Sequence, residues 1–110
     1  MAITSSQVQN VASVCHAAAG RYIDTGTVAA FNITLGWKPV WVRVLNETAS
    51  SSGFEHFAGM TAGHAIKRAL AGDLTVVTSN GITLLTYGFT VGLDTDVNVT
   101  SEQLDWVAIG

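Results

Sequence analysis

Apolar and polar residues alternate with a period of two along much of this chain, and that period predicts strands rather than helices. The clearest stretch is Phe31-Asn32-Ile33-Thr34-Leu35, where the alternation is strict. Such a strand buries one face and shows the other to water. Gly36-Trp37-Lys38-Pro39 then turns the chain. In Val40-Trp41-Val42-Arg43-Val44-Leu45 both faces are apolar apart from Arg43. A strand of that kind lies between layers or is covered by a partner. The surroundings of 22–23 and 27–28 favour β structure, and further strands are expected over 54–57, 74–78, 82–87, 89–91, 97–99 and 104–109. Ser79-Asn80-Gly81 falls between two β-rich runs and reads as a hairpin turn. Residues 97–99 and 104–109 are expected to close the fold as a hairpin around 100–103.

Helical spacing occurs in two places. Thr4 and Gln7 have capping-box spacing, and Val8, Val11, Ala12, Cys15 and Ala19 then share one helical face that Gly20 ends. The same segment also reads as an arm or strand docked on a neighbour. In residues 61–70, Ala62, Ala65, Ile66 and Ala69 fall on one side of a short helix, with Gly63 against it. The expected organisation is an N-terminal arm or short helix over residues 1–20 and a single domain over 21–110. The expected fold is mainly β: an antiparallel β-sandwich, jelly-roll-like, with a short helix near 61–70. Periodicity alone does not choose among sandwich, jelly roll and barrel.

Composition changes this picture in one respect. Only 12% of the 110 residues are charged, about half the usual ~25%. A small domain keeps most of its residues near the surface, so its surface is poor in charge. Interface cores share that depletion, and the chain reads as an assembly subunit. The net charge of −3 and the scattered Arg21, Lys38, Arg43, Lys67 and Arg68 argue against a phosphate-binding face, hence against nucleic acid as a main partner. Gln9, Asn10, Ser13 and His16 interrupt the apolar run over 8–19, so no bilayer span is expected. A lone Cys15 makes no internal disulfide. The start lacks a basic region of signal-peptide type, and synthesis in a cytoplasm is expected.

Candidate chemistry is sparse. His16, His56 and His64 sit in no zinc-binding pattern and read as surface or interface histidines. Cys15 with a histidine is the one nucleophile pairing available, against which its apolar neighbours suggest a buried small residue. Asp94, Asp96 and Asn98, followed by Glu102 and Asp105, echo a calcium loop. Val99 stands where that loop needs Gly, so Asp94 and Asp96 read instead as turn residues bonding nearby backbone N–H groups. No Gly-rich phosphate loop is present. Trp37 and Trp41 flank the Lys38-Pro39 turn and Trp106 lies near the end of the sequence. They read as core packing, as hot spots for a protein partner, or as stacking platforms for a sugar. No enzyme and no cofactor is expected from these residues.

Residues 36–46, Gly-Trp-Lys-Pro followed by a valine-rich strand ending in Asn, resemble a segment of small tailed-bacteriophage virion proteins. Further motifs follow in the same order: 54–60 with Gly-Met at its end, Ala65-Ile66-Lys67, Thr78-Ser79-Asn80-Gly81-Ile82, Gly88-Phe89-Thr90-Val91-Gly92 leading into 94–99, and 104–109. The resemblance is to head-decoration (cement) proteins and spans residues 20–110. It implies a β-sandwich seated on the capsid surface of a virion, with the major capsid protein and copies of itself, as a dimer or trimer, for partners. It implies no enzymatic activity, metal or cofactor, no nucleic acid and no membrane. Val8, Val11, Trp37, Trp41, Phe54, Phe57 and Trp106 are the candidate interface residues. The alternative function is a tail-associated module that binds a carbohydrate or receptor through its tryptophans.

Overall fold

A computed structural model describes residues 16–48, 52–69 and 71–110. Among them every regular element is a strand: β1 (Ala17–Tyr22), β2 (Phe31–Thr34), β3 (Trp41–Asn46), β4 (Gly53–Phe57), β5 (Ala65–Arg68), β6 (Leu74–Val77), β7 (Ile82–Leu85), β8 (Gly88–Val91) and β9 (Leu104–Ile109). They form a six-stranded sheet in the order β1-β9-β3-β4-β5-β6 and a three-stranded sheet in the order β2-β8-β7. All pairings are antiparallel.

The two sheets share one core. The larger contributes Val42, Val44, Phe54, Ala65, Leu104 and Ala108, and the smaller contributes Ile82, Phe89 and Val91. β2 alternates as its sequence demands, with Phe31 and Ile33 half-buried and Asn32 and Thr34 exposed. β3 sits between β9 and β4, which explains its apolar character. Val42 and Val44 face the core while Arg43 points out. Trp106 crosses edge-on to Phe89, their ring centroids 5.6 Å apart. A Cβ on Gly20 would lie 2.7 Å from the Trp106 ring. Gly20 therefore serves close packing beneath an indole.

Four expectations are corrected. First, β1 takes in residues 17–20, so Ala19 and Gly20 belong to a sheet and end no helix. Thr4, Gln7, Val8, Val11, Ala12 and Cys15 lie outside the described residues. Second, residues 61–70 hold no helix among those described: turns lead into β5. Gly63 takes φ of +82°, and β4 and β6 supply backbone partners on either side. A few small residues in a lone short helix bury too little to compete with a ladder on both edges. Third, Ser79-Asn80-Gly81 makes no hairpin, because β6 and β7 belong to different sheets. Asn80 does adopt the left-handed conformation, φ 58°. The Gly81 N–H donates to Gly63 O at 2.9 Å, and Gly81 O accepts from the Gly92 N–H at 2.8 Å, so the turn carries the chain across to the other sheet. Fourth, residues 97–99 form no strand, and β9 pairs with β1 and β3 instead. Asp94 draws this segment inward, its Oδ1 accepting from the N–H groups of Asp96 at 2.9 Å and Val97 at 3.1 Å.

Candidate functional site

The register of the six-stranded sheet fixes which side chains share its outer face. One row runs Ala17, Ile109, Trp41, Phe57. The next runs Ala19, Val107, Arg43, Glu55, Ile66, Val76. The third runs Arg21, Asp105, Leu45, Gly53, Arg68, Leu74. Most of these positions are apolar, yet they point away from the shared core. Phe57, Leu74, Val76 and Ile109 are exposed by 46%, 65%, 62% and 39%. Trp41, Leu45, Ile66 and Val107 are half-buried by their neighbours on the sheet. Antiparallel sheets usually show water a polar face; this one shows an apolar face.

Four of its five charges are arranged in opposition, while Arg68 stands between Gly53 and Leu74. Arg43 stands across from Glu55, and Arg21 across from Asp105. The Trp41 Nε1–H donates to Glu55 Oε2 at 3.1 Å, which ties the indole to the neighbouring strand. Asp105 is held below the ordinary carboxylate range by its hydrogen bond with Glu47, helped by Gln103 and by the charge of Arg21. The same contact with Asp105 raises the Glu47 carboxyl above its ordinary value. A groove of about 540 Å³ crosses the face between Arg43, Glu55, Ile66, Arg68 and Leu74.

The residues with calcium-like spacing do other work. Asp94 Oδ2 and Asp96 Oδ2 both grip Lys67 Nζ, at 2.9 and 3.0 Å. Burial pulls the Lys67 ammonium down, but hydrogen bonds to Asp94 and Asp96 outweigh it and raise its pKa above the ordinary lysine value. Asn98 spends its amide on two carbonyls, Ala29 O at 3.0 Å and Gly92 O at 3.2 Å. The three side chains thus pin the segment after β8 to β5 and to the loop before β2. No cluster of three or more metal-ligating side chains occurs among the described residues.

The histidines separate in role. His56 is buried at 1% exposure, which corrects its reading as a surface or interface residue. Burial lowers its pKa, and its Nδ1 lies 2.7 Å from His64 O, so a neutral ring donates to that carbonyl. His16 stacks on Trp37, with centroids 5.1 Å apart and planes 17° from parallel.

Of the expected interface residues, Trp41 and Phe57 come together as direct cross-strand neighbours on the outer face. Phe54 is 2% exposed and belongs to the core, and Trp37 and Trp106 pack against that core. Val8 and Val11 lie outside the described residues. Sequence reasoning missed Leu45, Ile66, Leu74, Val76, Val107 and Ile109. Their signal was available: splitting each strand of the six-stranded sheet into its odd and even positions shows apolar residues on both. Among the described residues no helix is long and apolar enough to cross a membrane. Comparison with protein-family models, with curated proteins and with solved structures gives no match for this chain.

Proposed function

We propose that this chain is a non-enzymatic structural virion protein of the capsid-decoration type, which binds the assembled phage head as a homo-oligomer and reinforces contacts between capsomers. The observation that carries the reading is the apolar outer face of the six-stranded sheet. Five strand-to-strand gaps of ~4.8 Å make that face about 24 Å wide, a size suited to one modest protein contact. Four of its five charges stand as opposite-sign neighbours and the other positions are mostly apolar, so apolar burial dominates. Binding to the assembled state alone stabilises it by mass action, and many copies on one lattice make weak contacts act together. Within this reading the sheets form a jelly-roll-like sandwich; the smallest dimension of 18 Å fits two layers spaced by ~10 Å.

The test is co-sedimentation of the fluorescently labelled protein with emptied phage heads. The wild type is expected to pellet with heads, and Phe57→Asp or Ile109→Asp to lose at least ~10-fold in affinity while melting normally. Both side chains are exposed and point away from the core, and thermal melting of each variant checks that the fold is kept. Failure to bind heads, with sugar-dependent tryptophan quenching on a glycan panel, would move the assignment to the tail-associated carbohydrate-binding alternative.

A further inference from the structure

β6 is the place where sequence and core part company. Its Leu-Thr-Val-Val is uncharged and largely β-branched, the composition of an interior strand. Among the described residues it has one neighbour, β5, and stands at the sheet's edge. Leu74 and Val76 are exposed by 65% and 62% on the outer face. Thr75, on the opposite face, is exposed too, while Val77 at the end of the strand packs against the core. Natural edge strands are usually blunted by Lys, Pro or a bulge, and β6 carries none of these side chains. The other edge strands of the two sheets differ: β1 points Ala17, Ala19 and Arg21 outward, β2 exposes Asn32 and Thr34, and β7 is buried or half-buried throughout.

The backbone says how a partner would fit. The Ala69 N–H donates to Asp73 O at 2.9 Å, which makes 69 and 73 a bonded pair. Antiparallel pairs alternate between bonded and non-bonded. The register then makes Lys67 with Thr75 and Ala65 with Val77 the bonded pairs of the β5–β6 ladder. Leu74 and Val76 therefore aim their N–H and C=O groups at the open edge.

We propose that β6 pairs antiparallel with β6 of a second copy about a two-fold axis, joining the six-stranded sheets of both copies into one. A two-fold that keeps the outer faces together sets Leu74 opposite the second copy's Val76, and Thr75 opposite its own counterpart. The open N–H and C=O groups of Leu74 and Val76 meet their equivalents as bonded pairs, and the two Thr75 residues form the non-bonded pair between them. The outer-face row then runs Arg68, Leu74, Val76, Ile66 across the junction, and no like charges face each other. A second copy is the occupant because the strand is complementary to itself in hydrogen bonds, face and charge. Two short strands bury less than the ~1,200 Å² of a standard interface. The free dimer is accordingly concentration-dependent.

This deepens the homo-oligomer part of the proposed function and rests on it. The test uses the full chain in sedimentation equilibrium over a wide concentration range. Thr75→Lys and Thr75→Glu each place like charges directly opposite, and each is expected to weaken self-association roughly fivefold or more. An equimolar mixture of the two variants should recover it as a heterodimer. Thr75→Cys in a Cys15→Ser background should oxidise to a covalent dimer, since non-bonded pairs bring Cα atoms to ~4.5 Å, within disulfide range. Wild-type association unchanged by either charge, or a mixture that recovers nothing, overturns the β6 pairing and leaves the homo-oligomer reading standing. A wild type that stays monomeric at every concentration overturns both.

Discussion

Replacing Lys67 by Met removes the one cation between Asp94 and Asp96 and leaves the methylene stem in place. The Nζ lies 2.9 and 3.0 Å from the two carboxylates, whose side chains are 13% and 27% exposed. An exposed ion pair is worth at most ~1 kcal/mol, and breaking a fully buried one costs ~3–5 kcal/mol. This clamp lies between those limits, so Lys67→Met should cost about 2 kcal/mol. For a chain of this length ~1 kcal/mol shifts Tm by about 4 °C, which sets the expected fall near ~8 °C. Asp96→Asn removes the second anion without touching the Asp94 Oδ1 that caps the N–H groups of Asp96 and Val97. In the Lys67→Met background it should therefore cost nothing or restore part of the loss, giving a coupling of about 1 kcal/mol in a double-mutant cycle. Urea unfolding followed by tryptophan fluorescence measures it. The pH dependence has a definite sign. Lys67 has its folded pKa raised, so the clamp contributes fully below the unfolded lysine value of ~10.4 and is lost as pH rises through the folded one. The gap between wild type and Lys67→Met should hold through neutral pH and close in strong alkali. A gap under ~0.5 kcal/mol at pH 7, the level of an ordinary surface substitution, would refute the clamp.

Two further predictions follow from the interior. A Cβ on Gly92 would run into the Asn80 backbone, whereas one on Gly26 meets only Asp24 Oδ1 at 3.5 Å; Gly92→Ala should cost ~3 kcal/mol and Gly26→Ala little, and equal urea midpoints would show the crossover to be looser than drawn. Burial lowers the His56 pKa, so its contribution to stability is full above ~6.5 and lost as pH falls toward the folded value. His56→Asn, which does not titrate, should flatten the fall in urea midpoint between pH 7.5 and 5; identical slopes would remove His56 as the cause.

Strands were legible wherever the two faces of the sheet differ in polarity or a dense β-branched run announces them. Phe31 to Thr34 is the first case and the stretch around Val42 and Val44 the second. Residues 61–70 misled because Ala62 and Ala69 lie in or beside turns, yet their spacing from Ala65 and Ile66 imitates a helical stripe. Asn80-Gly81 was rightly read as a turn, but local turn chemistry carries no information about which sheet the next strand joins. That choice depends on Gly63 and Gly92, residues distant in sequence that bond Gly81. The outer face was legible only as an excess of apolar residues. Its arrangement needed the register, because a shift of one residue sends every side chain to the other side.

β9 lies between β1 and β3, with Ala17 opposite Ile109 at one end of the ladder. The first described strand thus has no partner until the last arrives, and β3 lacks one of its two neighbours for just as long. Closing so long a loop before any contact rewards it places the domain among slow folders, on the ms–s scale of non-local β proteins. Until then the edge of β3 stands open beside a half-formed apolar face, so chains at high concentration have a window in which to pair with the wrong strand.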